Sequence, residues 1–207
     1  MKPNWIYKLF RDFFLQEPRE NAIVLDNNVV SFNLRPDDEK IGGKSRCEVS
    51  RSIKEVLGAE RLYQVSFRIP TSWETNDTNI NVTSWHDDNN YPDTRPPLLI
   101  SIQGNELVIT QNTEEHWPFG KVELYRENID KGVWNELSVQ VKWHTNANAY
   151  LKITRDGVII VDQRAKNCSG LGEYVAYMKS GLYIPDDNAE WHARHIDFRL
   201  IHASGSL

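Results

Sequence analysis

Period-two alternation is the feature that most constrains this chain. In "ELSVQVKW" (136–143), Leu137, Val139, Val141 and Trp143 share one side of an extended strand while Ser138, Gln140 and Lys142 share the other. Successive strand side chains point to opposite faces, so such a segment has one face for a core and one for solvent. "YQVSFRIP" sets Tyr63, Val65, Phe67 and Ile69 against Gln64, Ser66 and Arg68 in the same way, and "VVSFNLR" alternates from Val29 to Arg35. Turn residues punctuate these runs. Asp156-Gly157 joins the halves of "YLKITRDGVIIVD" as a hairpin, and Gly104-Asn105 joins those of "PPLLISIQGNELVIT". About a dozen short strands spaced by turns predict an all-β fold of two packed antiparallel sheets, a sandwich or jelly roll.

The N-terminus departs from this pattern. In "MKPNWIYKLFRDFF", Trp5, Leu9 and Phe13, with Ile6, Phe10 and Phe14, recur at helical spacing. We read residues 1–20 as a segment carrying a short amphipathic helix, capped near Asn4 and closed before Pro18. Lys8, Arg11 and Asp12 interrupt its apolar residues, so it does not read as a secretory signal. No internal repeat or linker divides the chain, and a single domain over 1–207 is expected.

Several function classes drop out early. A net charge of −5 argues against a nucleic-acid binder held by bulk charge, and no apolar run approaches the ~20 residues that span a bilayer. Cys47 and Cys168 allow one disulfide at most. Zinc-ligand spacing, a phosphate-binding glycine loop and a Gly-x-Ser-x-Gly elbow are absent. Seven Trp and eight Tyr supply flat surfaces that suit sugar rings; Trp73, Trp117 and Trp191 are candidates, although large aromatics more often serve a core.

One strand does not read as plain scaffold. "YMKSGLY" aligns Tyr177, Lys179, Gly181 and Tyr183 on one face, with Met178 and Leu182 on the other. Upstream, "SRCEVSR" puts Arg46, Glu48 and Ser50 on one face, and "NVTSWH" puts Val82, Ser84 and His86 opposite Trp85. A glycine amid these groups suggests that a ligand approaches there.

These three strands resemble the jelly-roll polysaccharide lyases related to heparin lyase I and, more distantly, the jelly-roll alginate lyases. The alginate enzymes carry Arg-x-Glu-Leu-Arg-like, Gln-Ile-His-like and Tyr-Phe-Lys-Ala-Gly-x-Tyr-like strands; this chain has Arg46-Cys47-Glu48-Val49, Ser84-Trp85-His86 and Tyr177 to Tyr183 in that order. The phrase "GVWNELSVQVKW", the later "DG" and "KSGLY" resemble the heparin-lyase group. The similarity runs from about Val29 to Ile201. It implies a concanavalin-like jelly roll that cleaves an anionic uronate polymer by β-elimination. Where relatives have a glutamine two residues before the histidine, this chain has Ser84. Either Ser84 with a water, or Gln64, Gln103 or Gln140 from a neighbouring strand, would then help hold the substrate carboxyl group.

Elimination needs that carboxylate neutralised, a base at C5 and an acid at the C4 oxygen, and donors that stabilise the developing enolate. The resemblance makes Arg46 the neutraliser, oriented by Glu48, with Ser84 as a further donor. Tyr183 is the expected acid, and also the base if elimination is syn; His86 is the base if it is anti, or the carboxylate's partner if it is syn. Lys179 stands ~13 Å along the strand from Tyr183 and is expected to bind the polymer. With Arg46, Arg68 and Lys142 it would make the groove basic. Tyr177 is a packing or stacking residue, and Gly181 would leave room for a sugar ring. No cofactor is required for the chemistry, and a structural calcium is expected by family analogy at Asp197. "DDNN" (87–90) and Asp186-Asp187-Asn188 offer hard-cation ligand types but read as solvated loops. The expected partner is an anionic polysaccharide, with neither nucleic acid nor membrane, acting on a monomer. That substrate class favours a secreted location, although no signal peptide is read.

Two rivals remain. A non-catalytic carbohydrate-binding jelly-roll module would share the fold without needing the His–Tyr–Arg–Lys set. A sandwich glycoside hydrolase would carry paired carboxylates, and the Glu-x-Asp-x-x-Glu pattern is absent.

Overall fold

The computed structural model of the protein describes residues 13–74, 78–87, 96–113, 121–170, 172–185 and 191–204. Every regular element longer than a turn within them is a strand. In chain order these are β1 (Phe13–Gln16), β2 (Ile23–Asp26), β3 (Val29–Leu34), β4 (Ser45–Arg51) and β5 (Glu60–Arg68). There follow β6 (Asn79–His86), β7 (Leu98–Gln103), β8 (Glu106–Asn112), β9 (Lys121–Asn128) and β10 (Asn135–Lys142). The last are β11 (Tyr150–Arg155), β12 (Val158–Gln163), β13 (Tyr177–Ile184) and β14 (Arg194–Ser204). They form two seven-stranded antiparallel sheets, β1-β4-β13-β6-β7-β8-β9 and β12-β11-β10-β5-β14-β3-β2. Sequence-distant strands lie side by side, as in β4-β13-β6, which is the jelly-roll arrangement expected from the alternation.

Turn chemistry explains the tight hairpins. Asp156 and Gly157 both take positive φ, at 50° and 81°. That is the requirement of the two-residue turn whose twist matches its flanking strands. Asn27 and Asn28, at 47° and 65°, make the same kind of turn between β2 and β3.

The expected helix is corrected where it is described: Phe13–Gln16 is strand β1, paired with β4 so that Gln16 stands opposite Glu48. Phe14 is exposed while Leu15 packs on the core, an alternation that edge pairing rewards over a helical stripe. The rest of that helix lies outside the described residues.

The core fills the space between the sheets with Val65, Phe67, Val139 and Val141 from one side and Cys47, Val49, Ile100, Met178 and Leu182 from the other. Trp85 of β6 meets Tyr63 of β5 edge-on across the sandwich, ring centroids 5.2 Å apart. An aromatic buries ~150–250 Å², which at ~25 cal/mol/Å² is at most ~4–6 kcal/mol. That anchor fixes which way β6 faces. With Trp85 inward, Ser84 and His86 face outward.

Two irregularities adjust the strands at the centre of the first sheet. The β6–β7 register shifts between Asn81 and Thr83, and the β13–β6 register shifts between Ser180 and Tyr183. Val82 is therefore a core residue, not a neighbour of Ser84 and His86 as simple alternation implies, because the slip lets Val82 and Trp85 both point inward. The same slip turns Asn79 and Asn81 to the outer face.

Candidate active site

Arg46, Glu48, Ser84, His86, Tyr177, Lys179 and Tyr183 come together on adjacent strands β4, β13 and β6. The register places Tyr183 opposite Arg46 on one side and Asn81 on the other; Tyr177 stands opposite His86, and Lys179 opposite Ser84. Tyr183 and His86 line one groove of about 500 Å³ together with Asn79, Asn81, Leu99, Thr110 and Lys121.

An ion cluster lies beneath this groove. Glu48 is buried and accepts from Lys179 Nζ at 3.2 Å and from Arg46 Nη1 at 3.4 Å. Burial pushes its carboxyl pKa up, against the pull of Lys179 and Arg46. The Lys179 side chain is only 9% exposed, its ammonium 3.5 Å from Gln16 Oε1 and 5.8 Å from the Tyr177 ring centroid. It acts inside the sheet, as counter-charge to Glu48, rather than as a free cation in the groove. Arg46 keeps more freedom. Its guanidinium carbon lies 4.9 Å from the Tyr183 ring centroid, and among the described residues its buried Nε has no acceptor, so Glu48 does not take up all of its donors.

His86 is held neutral. Burial, then the Lys179 and Arg46 charges, lower its pKa to about 3. Nε2 is 3.0 Å from Ser84 Oγ, a bond that either partner can donate in. The ring rests against Tyr177 at 5.5 Å between centroids, and Tyr174 meets Tyr177 at 5.9 Å. Tyr177 is thus a buried shelf for the imidazole.

Gly181 answers a different need from the one its sequence context suggested. At φ 138°, a Cβ there would lie 2.4 Å from the Cys47 carbonyl oxygen and 2.6 Å from Glu48 Cα. The missing side chain makes room for the neighbouring strand's backbone, not for a sugar.

Other expected groups lie elsewhere. Gln140, Arg68 and Lys142 sit on β10 and β5 of the second sheet and do not share the groove, because their strands pack core-side against the first sheet and turn these side chains outward. Gln140 Nε2 donates to the Tyr150 hydroxyl at 3.4 Å, Lys142 pairs with Glu60 at 3.1 Å, and Arg68 binds Asp197 at 2.7 Å. Gln64 is on β5 of the same second sheet, and Gln103 accepts from Arg126 at 3.0 Å. Asp197 also accepts from Ser31 and meets His195 Nε2 at 2.8 Å. Burial works against its ionisation, but the Arg68, Ser31 and His195 interactions outweigh it and lower its pKa. Those surroundings are donors, so they do not fit a calcium ion, which takes oxygen ligands. No cluster of three His, Cys, Asp or Glu ligands is found among the described residues.

Cys47 and Cys168 are buried free thiols, both pushed up to about 12 by burial. Trp73 is buried and Trp191 packs against the core. Trp117, Asp186 to Asn188 and the 88–90 part of "DDNN" lie outside the described residues.

Sequence reading missed Asn79, Asn81 and Asn112. Asn81 Oδ1 accepts from Ser101 Oγ at 2.8 Å. Among the described residues the Oδ1 atoms of Asn79 and Asn112 are buried without a partner, acceptors suited to sugar hydroxyls. The Asn-Ile-Asn-Val alternation was the available signal.

A sequence-family profile described as polysaccharide lyase matches residues 19–203. No curated protein matches. Among solved structures, the endo-β-1,4-glucuronan lyase of the fungus Trichoderma reesei superposes with a TM-score of 0.72 at 19% identity, over 94% of this chain and 87% of that one. Alginate lyase A1-II′, a member of polysaccharide lyase family 7, gives 0.75 at 14% identity, over 94% and 95%. Alginate lyase PA1167 of Pseudomonas aeruginosa gives 0.68 at 14%, over 96% and 90%.

Proposed function

The chain belongs to the polysaccharide lyase family, and on that premise we propose that its substrate is a polymer of uronate residues, cut by β-elimination with Tyr183 moving the proton. The observation carrying this reading is the groove itself: a half-buried tyrosine flanked by a guanidinium with spare donors, an asparagine and a neutral imidazole. A passive binding module needs no such set, and fold alone does not choose between the two.

The geometry divides the work. Arg46 and Asn81 flank Tyr183 in register and receive the carboxyl group of the reacting uronate, which makes its C5 proton removable. His86 serves as a neutral hydrogen-bonding group on that carboxyl. An imidazole whose pKa is about 3 is a weak base for a carbon acid, since a useful base titrates near the working pH. Tyr183, entering as its phenolate, therefore takes the C5 proton and passes that proton to the C4 oxygen of the leaving sugar, a syn course open to glucuronate and mannuronate. Ser84 orients His86. The Glu48–Lys179 pair holds Arg46 in place, and Asn79, Asn112 and Thr110 meet sugar hydroxyls further along the groove.

The structural neighbours' names, glucuronan and alginate lyase, support those polymers as the first candidates; the resemblance of "GVWNELSVQVKW" to the heparin-lyase group keeps heparin among the polymers to test. Incubation with glucuronan, alginate, heparin and hyaluronan while following ultraviolet absorbance tests the reading. Growth of the unsaturated-uronate chromophore on at least one polymer is expected. Reducing ends without that chromophore would indicate a hydrolase, and binding without either would indicate a module.

A further inference from the structure

The groove of Tyr183 continues past the strands that carry its chemistry. Thr110 and Asn112 of β8 and Lys121 of β9 border the same space as Tyr183 and His86. Register puts them on one face. Ser84 stands opposite Leu99, Leu99 opposite Thr110 and Thr110 opposite Glu123, while Asn112 stands opposite Lys121. Directly paired residues share a face, so Lys121 projects from the groove side of β9, the edge strand of this sheet. β9 lies three strands from β6, which at ~4.8 Å per strand sets Lys121 roughly 14 Å across the sheet from the strand of His86.

This end of the groove is braced. The Asn112 amide nitrogen donates to the Pro97 carbonyl at 3.0 Å. On the core side, Gln111 accepts from Gln163 Nε2 at 2.6 Å and donates to the Lys166 carbonyl at 3.5 Å. The end of β8 is thereby tied to β7 and to β12 of the second sheet. Half-buried Leu99 gives an apolar floor between Ser84 and Thr110.

Lys121 is exposed, and Glu123 is the neighbouring charge on its face. Arg126 donates to Glu123 at 3.0 and 2.8 Å. That bond is the main cause of the lowered Glu123 pKa, and the Lys121 charge is the smallest of the causes. Arg126 is therefore the counter-charge of Glu123, and Lys121 presents its ammonium to the groove. A lysine is a point charge on a flexible stem, which suits a carboxylate on a passing chain.

We propose that Lys121, with Asn112 and Thr110 beside it, forms a remote carboxylate subsite, which binds a uronate other than the one being cut and makes the groove favour long chains over short ones. The assignment rests on the uronate-polymer reading of the groove.

The test is calorimetric titration with glucuronate and mannuronate oligosaccharides, from the disaccharide upward, in the Tyr183→Phe background. Affinity should rise in a step at the length that reaches β9. Lys121→Gln should remove about fivefold of that rise, the worth of one partly exposed ion pair, and leave shorter oligosaccharides unaffected. High salt should shrink the step in the same way. If Lys121 only sits beside Glu123 at the surface, Lys121→Gln binds every length as its parent does. If it only supports the fold, every length weakens alike. Either result, or the absence of any step, overturns the inference. The readout is binding, so the two readings part. A wild type with a Lys121-dependent step but no unsaturated uronate product keeps the subsite and loses the lyase reading. Elimination with an unchanged length profile in Lys121→Gln keeps the lyase reading and overturns the subsite.

Discussion

Substituting Gly181 by alanine separates two accounts of "YMKSGLY". If the glycine leaves room for substrate, an added methyl group harms binding and spares the fold. The structure predicts the reverse. A Cβ at this position would meet the Cys47 carbonyl oxygen at 2.4 Å and Glu48 Cα at 2.6 Å, both backbone atoms that cannot rotate away. Overpacking of this kind costs ~1–3 kcal/mol, and holding alanine at φ 138° adds ~1–3 kcal/mol of backbone strain. The sum, ~2–6 kcal/mol, is a large share of a typical ~5–15 kcal/mol total. For a chain of this size ~2–4 °C is lost per kcal/mol, so the midpoint should fall by on the order of 10 °C. Gly58→Ala is the internal control, because Gly58 has φ 85° and nothing within 4 Å of the added atom; it carries strain without a clash. Scanning calorimetry should rank Gly181→Ala well below Gly58→Ala. Activity should fall as well, since moving β13 off β4 separates Tyr183 from Arg46. Equal midpoints for the two variants would refute the close approach of these strands.

The other expectations concern the buried charges. An unfolded histidine titrates near 6.5 and folded His86 near 3, so between these values the unfolded chain binds the proton and stability falls as pH falls. By about pH 5 the loss is ~2 kcal/mol at ~1.36 kcal/mol per unit. Urea unfolding of His86→Gln at pH 7 and pH 5 should show the pH dependence reduced by that amount, and an unchanged dependence would count against the partly buried, neutral ring. Lys179→Met strands the buried Glu48 carboxylate with Arg46 alone and should cost ~3–5 kcal/mol, most of it recovered in a Lys179→Met/Glu48→Gln double variant. A surface polymer clamp would instead lose affinity at low salt and keep its stability.

Much of the fold was legible because alternation and turn chemistry act locally. "ELSVQVKW" and the Asp156-Gly157 hairpin need no partner strand to be recognised. What failed was what pairing decides. Phe13–Gln16 has helical spacing on paper, yet an open edge of β4 recruits it as a strand. Val82 reads as Ser84's neighbour until a register slip moves it into the core, and the same slip delivers Asn79 and Asn81 to the groove. Arg46, His86 and Tyr183 were findable because each sits on the outward phase of its own strand. Arg68, Gln140 and Lys142 have an equally good outward phase, but alternation does not say which of two sheets a strand joins. The role of Lys179 turned on a cross-strand partner, Glu48, visible only once β4 and β13 lie side by side.

The direct test of the account is the rate of elimination by Tyr183→Phe. This change keeps the ring over which Arg46 stands and removes the only proton the side chain exchanges. With the best uronan substrate, ultraviolet absorbance should report a loss of at least the ~10²–10⁴-fold that a positioned acid–base group supplies, equivalent to ~3–5 kcal/mol of barrier. The thermal midpoint and oligosaccharide affinity should stay at wild-type values. Elimination by Tyr183→Phe at the wild-type rate would contradict the assignment and transfer the proton to His86.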